Sequence, residues 1–198
     1  MRADAQRNYD RLIEEAKQAF LVHGTDVALE DIARHAGVGV GTLYRHFPDR
    51  HALMNAVFEK ELNALTDRAR ELKTREDPAL ALLEWLRSVA IHSYAYRGLS
   101  MAIMEGGSKM PTCKLQMVGA GGSLLARAQH AGTIRADVEI ADLLRITYAI
   151  VSAVERNPAE KGLFDRLMSL AVDGMRTRTE AAGDSNRLPA PEKPGVPA

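Results

Sequence analysis

Within five positions the sequence sets two hydroxyls, Thr42 and Tyr44, a guanidinium, Arg45, and an imidazole, His46, with only Leu43 among them. Such groups bond phosphate oxygens and the edges of bases. No Asp or Glu falls between Ile32 and Pro48, whereas Arg34 and His35 do, and Arg50 and His51 follow directly. A carboxylate would repel phosphate, so a carboxylate-free window is what a DNA-facing surface requires. Just before the polar group stand Gly39, Val40 and Gly41, slim residues that let the start of a helix enter a groove.

The elements that must position these groups are helical. In LEDIARHAGVGVGTLYRHF, Leu29, Ile32, Ala33 and Ala36 share one helical face, Gly37 makes a turn, and a second short helix over about Val40–Phe47 points Leu43 and Phe47 inward. A preceding helix offers Tyr9, Leu12, Ile13, Ala16, Ala19 and Phe20 on one side and ends at His23-Gly24. Two short helices across a glycine turn, packed on a first helix, make a helix-turn-helix. Pro48-Asp49 breaks the chain, and Asp49 is a good N-cap for a long helix over about Arg50–Lys73.

Composition sets limits on the rest. Lys and Arg number 26, as do Asp and Glu, so the formal net charge is zero and bulk charge cannot hold nucleic acid. The basic character is local. One cysteine, Cys113, permits neither an intrachain disulfide nor a zinc cluster, and reads as a small buried residue. The mixed-charge start, MRADAQRNYDRL, is unlike a signal peptide, and no stretch reaches the roughly 20 apolar residues of a membrane span. A cytoplasmic protein with no cofactor and no metal is expected. Gly37, Gly39 and Gly41 do not have Rossmann or Walker spacing. Catalytic residues are not apparent: Cys113 with His92 or His130 is the one Cys-His option, and nothing in the spacing joins them.

The block from Leu29 to Leu53, ending GVGVGTLYRHFPDRHAL, resembles the DNA-binding domain of the tetracycline-repressor (TetR) family, most closely over Tyr9 to Phe58. The resemblance implies an all-α fold: an N-terminal three-helix helix-turn-helix domain followed by a C-terminal helical ligand-binding and dimerisation domain, about nine helices in total. It implies a phosphate contact at Tyr44, a backbone contact at His46, and a basic phosphate contact at Arg50. Val38, Gly39, Val40, Gly41, Thr42 and Arg45 would face the groove. Ala28 departs from the family, where Ser or Thr often caps the second helix; Asp26 could substitute, or backbone and water contacts alone.

The polar segment TREDP, Thr74–Pro78, follows the long helix. The expected division is a DNA-binding domain over 1–50, a regulatory and dimerisation domain over 51–181, and a Pro- and Gly-rich disordered tail over 182–198. The helix over 50–73 links the two domains. Further helices are expected over about Ala79–Arg97, Leu99–Glu105, Pro111–Ala131, Glu139–Arg156 and Lys161–Thr179. Trp85, His92, Tyr96 and Met101 are candidates to line a ligand pocket, as are Met104, Met117, Leu125 and Tyr148, because Met and aromatic residues suit adaptable apolar cavities. The last helix, about 161–179, carries apolar residues on more than one face; the resemblance implies a homodimer joined through it and the helix over about 139–156, which would read a palindromic operator in double-stranded DNA. The implied function is a repressor released from DNA by a small-molecule effector. Two other readings stay open: a helical interaction regulator with a vestigial helix-turn-helix that does not read DNA, and an enzyme.

Overall fold

A computed structural model of the chain describes residues 2–105 and 111–177. The expected tail over 182–198 and the side chain of Cys113 lie outside the described residues. Among the described residues the architecture is all-α, with the elements α1 (Arg2–His23), α2 (Leu29–His35), α3 (Val40–His46), α4 (Arg50–Leu72), α5 (Pro78–Ala95), α6 (Arg97–Glu105), α7 (Pro111–His130), α8 (Ile140–Arg156) and α9 (Leu163–Met175).

The first three helices form because each has one apolar face and the turns between them are chemically specified. Leu12, Ile13, Ala16, Ala19 and Phe20 of α1 are buried, and they meet Leu29, Ile32 and Ala33 of α2 and Leu43 of α3. Gly24 and Gly37 end α1 and α2 with φ of 82° and 65°, a region that costs residues with a Cβ. α3 stops one residue earlier than expected: Phe47 is its cap, in extended conformation, with its ring buried. Asp49 caps α4 by accepting from the Ala52 N–H at 2.8 Å. Asp49→Ala is expected to lower unfolding free energy by about 1 kcal/mol, measurable by urea denaturation; an unchanged midpoint would show that the cap contributes nothing.

α4 is the shared element. It packs against α1 on one side and against α5, α6 and α7 on the other. Trp85 of α5 is fully buried and donates from Nε1 to the Leu65 carbonyl of α4 at 3.0 Å. α8 packs on α5 and α7, and α9 packs on α8. Asp77 caps α5, accepting from the Ala79 and Leu80 N–H groups, with Pro78 in the first turn.

The break between α5 and α6 and both ends of α9 also differ from expectation, each for a local reason. α5 and α6 break at Tyr96, whose N–H still bonds the His92 carbonyl while its φ of −104° leaves the helix. α9 begins at Leu163 because Gly162 before it has φ 72°. It ends at Met175, short of Thr179, because the chain turns into an antiparallel bridge between Arg176 and Ile134. Arg135 N–H bonds the Met175 carbonyl at 3.0 Å, fixing that exit.

Candidate nucleic-acid interface and ligand cavity

The orientation of α3 follows from its two ends. Leu43 is fully buried and Phe47 nearly so, and the Phe47 ring lies 5.1 Å from that of Tyr9 on α1. The opposite side therefore faces outward. Gly39, Val40, Gly41, Tyr44 and Arg45 are exposed, and Thr42 and His46 are half-buried. Arg45 has no ion pair or hydrogen bond with another described residue, so its guanidinium is available. His46 meets the Tyr9 ring edge-on at 5.7 Å, which fixes the imidazole at the rim of the same surface.

Val38 is a correction. It is 7% exposed, and its N–H bonds the Ala33 carbonyl at 2.9 Å. The positive φ of Gly37 turns the chain so that Val38 packs into the core; it cannot face a groove. Arg50 is half-buried and donates from Nη1 to the Thr25 and Val27 carbonyls, at 2.6 and 2.5 Å. It ties the start of α4 to the α1–α2 loop. Ala28 is the N-cap of α2 and gives no side-chain bond, and Asp26 does not stand in for it.

One residue that the sequence window missed is Glu30. Its Oε1 accepts from the Tyr44 hydroxyl at 2.7 Å. That bond holds the Glu30 carboxyl below, and the Tyr44 hydroxyl above, their ordinary pKa values. A carboxylate therefore sits beside the outer face of α3. Glu30 lies two residues before the carboxylate-free window and 14 residues from Tyr44, so only the crossing of α2 over α3 joins them.

The second site is a cavity of about 350 Å³ walled by Phe58, Leu62 and Leu65 of α4, Val89, His92 and Ser93 of α5, Tyr96, Ser100 and Met104 of the α6 region, Met117 of α7 and Tyr148 of α8. Of the expected lining, His92, Tyr96, Met104, Met117 and Tyr148 are brought together there. Trp85, Met101 and Leu125 are not. Trp85 is core, held behind the wall by its bond to Leu65; Leu125 is buried elsewhere in the core; Met101 is half exposed. Phe58, Leu62 and Val89 also border it, and helical spacing alone does not say which core residues border a void.

His92 is the polar feature of this cavity. Its ring lies 4.7 Å from that of Tyr96 and 5.7 Å from that of Phe58, and its buried Nε2 has no hydrogen-bond partner among the described residues. Burial pulls its pKa down from 6.5 to about 4. Above pH 6.5 folded and unfolded chains both hold it neutral; between 6.5 and 4 only the unfolded chain gains the proton. Stability therefore falls as pH falls through that window, by up to about 3 kcal/mol from this group. Urea denaturation at about pH 7.5 and about pH 4.5 should show a smaller loss in His92→Phe than in the parent chain; equal losses would mean that His92 is not held neutral by burial.

The cavity is wired to α1. The Tyr96 hydroxyl donates to Glu61 Oε2 at 2.8 Å, and Glu61 Oε1 pairs with Lys17 Nζ of α1 at 2.9 Å. Burial first, then the bond to Glu61, raises the Tyr96 pKa. A separate apolar groove of about 310 Å³ lies between α5, α8 and α9, lined by Ile91, Tyr94, Val151, Val154 and Phe164 among others. Among the described residues there is no group of three or more His, Cys, Asp or Glu side chains that could hold a metal, and no helix is long and apolar enough to cross a membrane.

Residues 12–57 match the family model described as bacterial regulatory proteins, tetR family. Residues 77–177 match that of the transcriptional regulator SbtR-like C-terminal domain. A curated relative, the HTH-type transcriptional regulator SAB2452 of Staphylococcus aureus (strain bovine RF122 / ET3-1), is 36% identical over 74 residues, which is 37% of this chain and 40% of that protein. The matched region thus spans well under half the length of that curated relative. Two solved structures are alike over nearly their whole length. The TetR transcriptional regulator SCO0520 from Streptomyces coelicolor has 33% identity and a TM-score of 0.72, covering 85% of this chain and 98% of that one. The TetR transcription regulatory protein from Mycobacterium vanbaalenii has 36% identity and a TM-score of 0.70, covering 88% and 98%.

Proposed function

The chain belongs to the TetR family of bacterial regulatory proteins, and from that premise we propose that it is a DNA-binding transcriptional repressor released from its operator by a small-molecule effector. The observation that carries the DNA half is the outer face of α3, where Arg45 stands exposed and unpaired beside Gly41, Thr42 and Tyr44. Arg45 and Thr42 read bases, Val40 gives apolar contact, and Tyr44 and His46 hold phosphate. The cavity on α4 to α8 supports the effector half. Residues 1–50 form the reading domain and 51–181 the regulatory one, with α4 belonging to both. The protein works in the cytoplasm.

Two copies pair through α8 and α9. Leu170 is 70% exposed and Ile146 41%, apolar area that a partner's matching helices would cover. The effector acts by population shift: it favours a setting of α4 in which the two copies of α3 leave half-site spacing. The bonds from Tyr96 through Glu61 to Lys17 give the cavity wall a direct grip on α1.

Tyr44→Phe tests the phosphate role. Loss of one phosphate hydrogen bond should weaken binding to all DNA sequences about equally, by roughly fivefold to tenfold, in anisotropy titrations on the DNA flanking the chain's own gene. A second reading is favoured by Glu30 on the Tyr44 hydroxyl and by the committed Arg50 guanidinium: a regulator whose helix-turn-helix no longer reads DNA. Under it the same titration shows only weak binding, equal for flanking and scrambled DNA.

A further inference from the structure

The chemistry of the cavity wall restricts what the effector can be. Among the described residues no ionised side chain lines it. Glu61, a carboxylate behind Tyr96, is already occupied by Lys17 and the Tyr96 hydroxyl. The described wall offers a charged guest no counter-charge in exchange for its hydration, which disfavours anions and cations alike. The volume of about 350 Å³ suits a small molecule, and Phe58, Leu62, Val89 and Met117 offer it apolar and adaptable contact.

Against that wall, one polar atom is left wanting. His92 Nε2 is buried without a partner among the described residues, and the ring is pinned between Phe58 and Tyr96. An unsatisfied buried nitrogen destabilises the cavity wall, and a guest supplying the missing bond recovers that cost. A neutral imidazole presents Nε2 either as a donor or as an acceptor, and a hydroxyl group can answer both. Ser100, whose own hydroxyl donates to the Arg97 carbonyl at 2.9 Å, keeps lone pairs that can only accept, again suiting a hydroxyl.

We propose, resting on the reading that this cavity holds the effector, that the effector is an uncharged, largely apolar compound carrying a hydroxyl group that bonds His92 Nε2. Three probes built on the same butylphenyl frame test it by isothermal titration calorimetry on the full chain at neutral pH: 4-butylphenol, 4-butylanisole and 4-butylbenzoate. The phenol should bind roughly tenfold more tightly than the anisole, and the benzoate most weakly of the three. His92→Phe should make phenol and anisole equal, whereas His92→Gln, which keeps a hydrogen-bonding group, should retain the preference in part. Benzoate binding as tightly as phenol, a phenol preference that survives His92→Phe, or no binding by any probe at millimolar concentration would each overturn the proposal. A parallel anisotropy assay of operator release separates the two claims. Selective phenol binding without release supports the assignment of ligand class and refutes effector control; release by the benzoate alone overturns the ligand class and leaves control standing.

Discussion

Replacing Gly121 by alanine is expected to remove about 3 kcal/mol of stability. A Cβ built on Gly121 of α7 would lie 2.4 and 2.5 Å from Cζ3 and Cη2 of Trp85, and 2.6 Å from Cδ1 of Ile140. Ile140 meets the Cβ with the end of a flexible side chain, but Trp85 has no easy retreat. Trp85 is fully buried, and sliding its ring would stretch the 3.0 Å bond from Nε1 to the Leu65 carbonyl. Leu65 lines the cavity, so the strain would reach the ligand site as well. Gly119, two residues earlier on the same helix, is the control, because nothing stands within 4 Å of its added Cβ. Gly119→Ala should leave stability unchanged or raise it by up to about 1 kcal/mol through helix propensity. Urea denaturation of both variants checks this; a Gly121→Ala chain as stable as its parent would mean that α5 and α7 are not packed this closely.

Arg45→Ala is expected to weaken specific binding by about 10- to 100-fold and to relax preference at the base it reads, in line with about 1–3 kcal/mol for a bidentate base contact. Competition titrations against single-base operator variants distinguish this from a phosphate role. If Arg45 instead meets phosphate, binding to every sequence falls alike and the slope of log affinity on log salt drops by about one. The expected effect is large because α3 offers few readers. It carries no lysine, and its remaining outer positions are two glycines, a valine, two hydroxyls and the His46 imidazole at the rim when the Gly39 cap is included.

Much of this was legible in the sequence because local rules and tertiary packing agree. Gly24 and Gly37 end helices where a positive φ is required, Asp49 caps, and the 3.6-residue spacing of Leu12, Ile13, Ala16 and Phe20 marks a buried face. What escaped depends on contacts distant in sequence or on single turns. Val38 reads as groove-facing next to three slim residues, yet the turn at Gly37 sends it inward. Arg50 has the type and position of a phosphate contact, but two carbonyls of the α1–α2 loop claim it. Glu30 is invisible as a neighbour of Tyr44 until α2 and α3 cross. In the ligand cavity, residue type marked Trp85 as readily as His92, and only the bond to Leu65 places Trp85 in the core.

The most direct test of the account is a selection from random double-stranded DNA with the full-length chain. Enrichment of a palindrome whose half-site centres lie about 10 base pairs apart, or a multiple of that, is expected. No such enrichment is expected with a chain carrying Thr42→Ala and Arg45→Ala. A parent chain that enriches no sequence, or a double variant that enriches the same palindrome, would contradict the assignment of α3 as the element that reads DNA.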